Sequence, residues 1–583
     1  MNRLLAAALA LLFSAAPTLA EDAAPAKPAL GDLQIKYRWV FMMTNLARDE
    51  VLAKNIDLVK RAKEAGYNGF YVVDSKFAKY QLQDKHYNDN VRKLREAFTA
   101  AGMQLGIGVC PMGYASELLA ADPNLAEGMP VRGAPFVVKD GKLVPSDDTA
   151  KLTNGAFAEW KGDSPVGWTA DDPGTVSFKD EKALCNGKPS LRQEHGTGKR
   201  GVARLIQPIK VRPWSYYHLS VMVKTEDCTS KDFRLFALAG DPMSGYPLDW
   251  QPPDIKKTQA WTRCNATFAS LDQSEVGIYI GSYNAKGGTI WYGDVQLEPA
   301  GFVNVIRRPS LPLAVTSEDG KTSYAEGKDF AEVRDPKLGH DPNPGYFTHW
   351  HDPPAVAVPE GSALKDGQKV LASYHFATLA GKADQINCCL SEPNIYDLME
   401  KQVQWARDTA RPDFYIMSHD EIRHGGWDDT CAKRNLTCGQ ILAENIKKCT
   451  DLIAKADPGK PIAVWNDMFD PFHNAHKEGY MYLAKGVGPW YGSWEGLSPG
   501  VIVANWHQNN ADSLKFFAER GNPQILAGYY DTDPHNIVEW LEMGAKVKGV
   551  CGVMYTTWCG DYSKLEEFMK LVKEFEAGQA KAK

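Results

Sequence analysis

Residues 414–427 read FYIMSHDEIRHGGW. A mostly apolar run, Phe414 to Ser418, stops on His419, Asp420 and Glu421, with Arg423 and His424 close behind. Adjacent carboxyls repel each other, and burying them is costly unless a partner or a ligand shares the charge. The plain reading is a strand end whose acids face water or a helix N-terminus. The chemical reading is an acid pair in which one group carries a proton and the other a charge.

Other segments end in the same way. Asp74 closes one apolar run, and Trp465, Asn466 and Asp467 close another, with Asp470 and His473 beyond. Asn505-Trp506-His507, Tyr529-Tyr530-Asp531 and Thr557-Trp558 with Asp561 follow the pattern. Acids and large rings recur, with few lysines among them. A proton-donating carboxyl, a second stabilising group and aromatic faces for a sugar ring are what cleavage of a glycosidic bond requires. Consecutive acids are poorly placed to flank one ring from both sides. They suit substrate-assisted hydrolysis, in which a 2-acetamido oxygen attacks, the Asp stays ionised to orient that amide, and the Glu is raised to act as acid and base. His349-Trp350-His351-Asp352 offers ligand types for a metal, but from a different region. No CxxC pair or HExxH helix occurs, so neither metal nor cofactor is expected.

These residues need elements that bring them to one face. Strand segments are read at 38–44, 69–75, 104–110, 414–418, 462–468, 501–507, 524–530 and 549–558. Amphipathic helical patterns are read at 49–64, 88–101, 396–410, 438–457, 511–520, 536–545 and 564–577. Near-continuous apolar strands between helices mean a parallel sheet covered on both faces. The fold class expected is α/β, a (β/α)8 TIM barrel, whose strand C-termini carry the site. A ninth candidate, 369–376, is assigned outside the barrel because no helix follows it. A large all-β, jelly-roll-like domain is expected inside the barrel, after the third strand. Alternating stretches such as 216–223 and 276–281, punctuated by Gly, Pro and Asn, mark its antiparallel strands.

The expected organisation runs from a signal peptide (1–20) and tether (21–30) to barrel strands one to three (31–110). A connecting excursion (111–151), a β-sandwich (152–300) and β-rich loops over the barrel mouth (301–395) follow. The remainder of the barrel occupies 396–583. Opening Asn154-Gly155 with Gly167-Trp168, and closing Trp291 to Glu298, resemble carbohydrate-binding modules; a sandwich that only props the barrel rim is the alternative.

The chain has 583 residues and a net charge of −6, with no basic patch for nucleic acid. One Arg, an apolar run and Thr18-Leu19-Ala20 make a secretory signal, so a secreted or periplasmic location is expected. No other run reaches the roughly 18 apolar residues that span a bilayer. Eleven cysteines leave at least one unpaired in an exported protein, and Cys431 with Cys438 is a candidate disulfide.

The Asp-Glu pair resembles the signature of family 20 glycoside hydrolases, the β-N-acetylhexosaminidases. VWNDMFD, VIVANW, AGYYD and GVMYTTWCGDY are similar to that family's later strands, over roughly residues 396–577. The resemblance implies Glu421 as acid/base and Asp420 as the amide-orienting residue. Tyr529 or Tyr530 would bond the acetamido oxygen, and Trp465, Trp506 and Trp558 would wall the pocket. His419, Arg423 and Asp467 complete the substrate-binding set. The usual His-x-Gly-Gly-Asp-Glu run is not kept, since His419 directly precedes Asp420. The expected partner is an oligosaccharide or polysaccharide. Alternatives are a retaining glycosidase with Asp467 as nucleophile and a glycan-binding protein without activity.

Overall fold

The computed structural model describes residues 33–195, 203–229, 232–249, 253–283, 287–381, 385–479 and 482–582. The expected signal peptide and tether lie outside them.

Eight strands close into a parallel barrel: β1 Tyr37–Met43, β2 Gly69–Val73, β3 Gln104–Val109, β4 Phe414–Met417, β5 Ile462–Trp465, β6 Ile502–Asn505, β7 Gln524–Leu526 and β8 Val550–Tyr555. Each pairs with the next in sequence order, and β8 closes on β1. Helices α1 Asp49–Ala65, α2 Lys85–Ala101, α3 Pro393–Thr409, α4 Cys438–Ala456, α5 Ala511–Glu519, α6 Asn536–Gly544 and α7 Leu565–Ala582 are the long helices among these strands. Each strand points its side chains alternately to the lumen and to the helix layer. In β4, Phe414 and Ile416 join the lumen cluster with Trp39, Tyr71 and Trp465. Tyr415 and Met417 face outward into the larger core. Trp39 stacks on Phe414 at 4.0 Å and closes the lumen.

The expected (β/α)8 alternation with one jelly-roll-like insert is corrected here on two counts. No α-helix lies between β5 and β6, where the described residues form only short 3-10 turns, Asp467–Phe469 and Ser493–Gly496. The barrel is therefore closed but not evenly helix-wrapped. The cause is composition: residues 466–501 hold six glycines and three prolines, which leave no uninterrupted amphipathic turn pattern. The insert, in turn, contains more than one sandwich. Two five-stranded sheets form the β-sandwich. A separate seven-stranded sheet is built on Gly128–Lys139 paired antiparallel with Lys369–Ala377. Tyr216 of the sandwich stacks on Phe376 of that sheet at 3.6 Å, so the two share one apolar core.

The insert leaves the barrel after β3 and returns before α3, so both its ends lie beside the C-terminal ends of the strands. Leu483, in the loop after β5, is 5% exposed and belongs to the insert's core. No described helix is long and apolar enough to cross a membrane.

Candidate active site

His419 and Asp420 lie just beyond the end of β4, and if its alternation continues they face opposite sides. They do: His419 is fully buried toward the helices, its Nε2 2.9 Å from Asn445 Oδ1 of α4. It is therefore a packing residue and not one of the substrate-binding residues expected. Asp420 faces the lumen. Strict alternation would then send Glu421 outward, but its φ is +49°. That left-handed turn, uncommon for a residue with a side chain, swings Glu421 back to the same side as Asp420. The loop over the pair is held close: Met112 N–H donates to Ser418 O at 2.9 Å. A Cβ on Gly113 would lie 2.3 Å from Asp420 O.

Asp420 and Glu421 line a cavity of about 280 Å³ with Tyr114, Trp465, Trp506, Tyr529 and Trp558. Trp465 lies 5.7 Å from Trp558 and 5.8 Å from Tyr71, making the floor. Trp506 sits 6.4 Å from Trp558, and Tyr529 is 43% exposed at the rim. Trp465, Trp506, Tyr529 and Trp558 thus come together as expected by position. Tyr530 does not: it is fully buried between Phe568 and Tyr555, behind the barrel wall. Tyr529 is the member of the Tyr pair at the cavity.

Glu421 is the hub. Its Oε2 accepts from Tyr114 OH, from Gln385 Nε2 at 3.0 Å and from Arg423 Nη2 at 2.8 Å. Arg423 also lies over the Tyr482 ring at 4.2 Å. Burial alone would raise the Glu421 carboxyl, but Arg423, Tyr114 and Gln385 outweigh it and hold the group below its usual range. Asp420 goes the other way. Burial, then the charges of Asp467 and Glu421, push it up to about 8. Of the pair, Asp420 is the one that holds its proton to higher pH, the reverse of the expected order. The reason is that Arg423 pairs with Glu421 and leaves Asp420 with two acidic neighbours.

Asp467 is fully buried and absent from the cavity wall. Its Oδ2 accepts from the Glu421 N–H at 2.9 Å and Asn474 Nδ2 at 3.0 Å, and its Oδ1 faces Trp506 Nε1 at 3.4 Å. Burial pushes it up to about 7. It fixes the Glu421 turn and the Trp506 ring without reaching a ligand. Asp531 does a similar task, accepting from Thr557 OH and from Trp558 N–H at 2.8 Å.

Sequence reasoning missed Tyr114 and Gln385. Tyr114 stands five positions beyond β3, at a strand end that went unread, and that position was its only signal. Gln385 arrives with the returning arm of the insert and has no local signature. Elsewhere, Cys431 and Cys438 do not pair: both are free, and the Cys431 thiol faces Cys389 instead. His351 pairs with Asp335 at 3.1 Å within the insert.

No family model matches the chain, and no curated protein matches it. Among solved structures, a family 16 carbohydrate-binding module is similar over 23% of this chain and 90% of its own, at 15% identity and a TM-score of 0.17. The module TmCBM61, solved in complex with β-1,4-galactotriose, is similar over 26% of this chain and 99% of its own, at 14% identity and a TM-score of 0.20. A rhamnosidase from Novosphingobium sp. PP1Y is similar over 96% of this chain and 60% of its own, at 12% identity and a TM-score of 0.31. With every one of these TM-scores below 0.5, the functional reading rests on the cavity itself.

Proposed function

We propose that the protein is a glycoside hydrolase acting on 2-acetamido hexosides, with Asp420 and Glu421 as its catalytic pair. One observation carries this reading. Two adjacent carboxyls, one bonded by Arg423, Tyr114 and Gln385 and the other buried beside it, line a cavity whose remaining walls are aromatic. Ring faces suit the apolar face of a pyranose, and the acids suit its glycosidic oxygen. The cavity volume is at the low end for small-molecule sites, which favours a terminal sugar over a through-running polymer.

Among the described residues, Asp420 and Glu421 are the only carboxyls that line the cavity, and being adjacent they do not flank a ring from both sides. Asp467, the alternative nucleophile, is saturated by hydrogen bonds and turned away. The attacking atom is therefore assigned to the substrate. Its acetamido oxygen bonds to the anomeric carbon while the glycosidic C–O bond breaks. The leaving oxygen takes its proton from Asp420, the carboxyl of the pair that burial and its acidic neighbours raise. The Glu421 carboxylate accepts the amide N–H and offsets the positive charge on the cyclised intermediate. Water then opens that ring at the anomeric carbon and returns a proton to Asp420.

The test is a panel of 2-acetamido and plain hexosides with poor and good leaving groups. Asp420→Asn is expected to lose about 10²–10⁴-fold on alkyl glycosides, and much less on aryl glycosides that need no acid. Glu421→Gln is expected to fail on both. Hydrolysis of plain hexosides alone would sink the 2-acetamido reading, and the opposite mutant pattern would return the acid role to Glu421.

A further inference from the structure

Away from the cavity, four potential metal donors meet in a buried cluster: Glu127, Cys389, Asp428 and Cys431, with their ligand atoms all within 4.8 Å of one another. It is the only such grouping among the described residues. The four are at most 4% exposed. They come from three distant segments: the arm leaving the barrel, the arm returning to it, and the loop after β4.

The spacing is informative. A tetrahedral zinc ion with Zn–S bonds near 2.3 Å sets its two sulfurs roughly 3.8 Å apart, and a sulfur and a carboxylate oxygen roughly 3.6 Å apart. Here Cys389 Sγ and Cys431 Sγ are 3.7 Å apart, and Cys431 Sγ and Glu127 Oε2 are 3.7 Å apart. A disulfide would need about 2.05 Å. The surroundings also have the form of a metal site. Arg308 Nη2 holds Asp428 Oδ2 at 2.6 Å, as an outer partner that orients a ligating carboxylate does. Glu127 Oε1 is fixed by the Trp427 N–H at 2.9 Å, leaving Oε2 toward the cluster.

We propose that Glu127, Cys389, Asp428 and Cys431 form a structural zinc site that fastens the insert to the loop carrying the catalytic pair. Binding releases the two thiol protons and leaves both sulfurs as thiolates on the ion. Asp428 stands seven positions after Glu421, and Trp427 between them already bonds Glu127. The ion would hold that loop from behind, outside the reaction path.

The full chain, purified without added metal, is tested by elemental analysis and by thiol titration with a mercurial and a zinc-binding dye. About one zinc per chain, released in step with the two thiols, is the expected result. Replacing the zinc with cobalt is expected to give thiolate-to-cobalt charge transfer and tetrahedral ligand-field bands. Cys389→Ser/Cys431→Ser should lose the ion, whereas Cys185→Ser, in the sandwich, should keep it. If the double variant does not fold, the wild-type titration decides alone. A chain that neither retains zinc nor binds cobalt overturns the proposal, as does a peptide pair joined by a Cys389–Cys431 disulfide.

Discussion

Asp420 and Glu421 differ by one methylene and sit side by side, yet the fold drives their protonation apart. Environment makes the difference: one has an arginine, a tyrosine and a glutamine on its oxygen, and the other has two acids nearby. The sign of the stability effect follows. A raised folded-state pKa means the unfolded chain ionises first, so Asp420's contribution is full below about pH 4 and is lost as pH rises toward about 8. Asp420→Asn removes that loss. Its melting temperature relative to wild type is expected to rise by a few degrees between pH 5 and pH 8; a gap that stays constant across those two pH values in calorimetry would contradict the assignment. Glu421→Gln is expected to destabilise at neutral pH, because it leaves the Arg423 cation without its carboxylate. The acid pair itself was legible in the string at 418–421. The charge order was not, because it depends on Gln385 and Tyr114, which reach Glu421 from 36 and 307 positions away.

At the level of elements, the barrel strands were the easiest feature to read. Each of the eight apolar runs coincides with a strand of the closed sheet, since buried parallel strands carry near-continuous apolar sequence. Alternation also accounts for two of the misplaced residues. His419 and Tyr530 each neighbour a cavity residue, and in extended chain a neighbour faces the other way. What pattern could not supply was the connection after β5, where glycine and proline set a long irregular path. Loops also position the rings. Asp531, in the loop after β7, holds the Trp558 backbone after β8. Asp531→Asn keeps the shape but weakens those bonds, so KM is expected to rise several-fold with kcat less affected. A change confined to kcat, read by steady-state kinetics on the preferred aryl glycoside, would instead place Trp558 in transition-state stabilisation.

For the whole molecule, the insert is not an appendage. It delivers Tyr114 on its way out and Gln385 on its way back, and it takes Leu483 from the barrel into its own core. Barrel and insert are therefore expected to unfold together. Leu483→Ala removes a buried side chain shared by both, at a cost of about 2–5 kcal/mol. Differential scanning calorimetry should show a single transition moved to lower temperature. Two separated transitions, with only one displaced, would show that the insert and barrel melt independently. No periodicity could have announced this coupling, because each residue involved is an ordinary loop residue in its own segment.

The left-handed backbone at Glu421 has an evolutionary reading. Glycine occupies that conformation freely and asparagine tolerates it, whereas a glutamate there carries a conformational cost of order 1 kcal/mol or more. The ion pair with Arg423 offsets that cost, so stability and backbone strain pull in opposite directions at this codon for as long as Arg423 is present. A library randomised at position 421 in an Arg423→Gln background, where the ion pair is gone, and sorted by soluble yield is expected to enrich glycine and asparagine. The same library sorted by product formation is expected to return glutamate, and deep sequencing of the two pools would measure how strongly the two pressures oppose each other at one site.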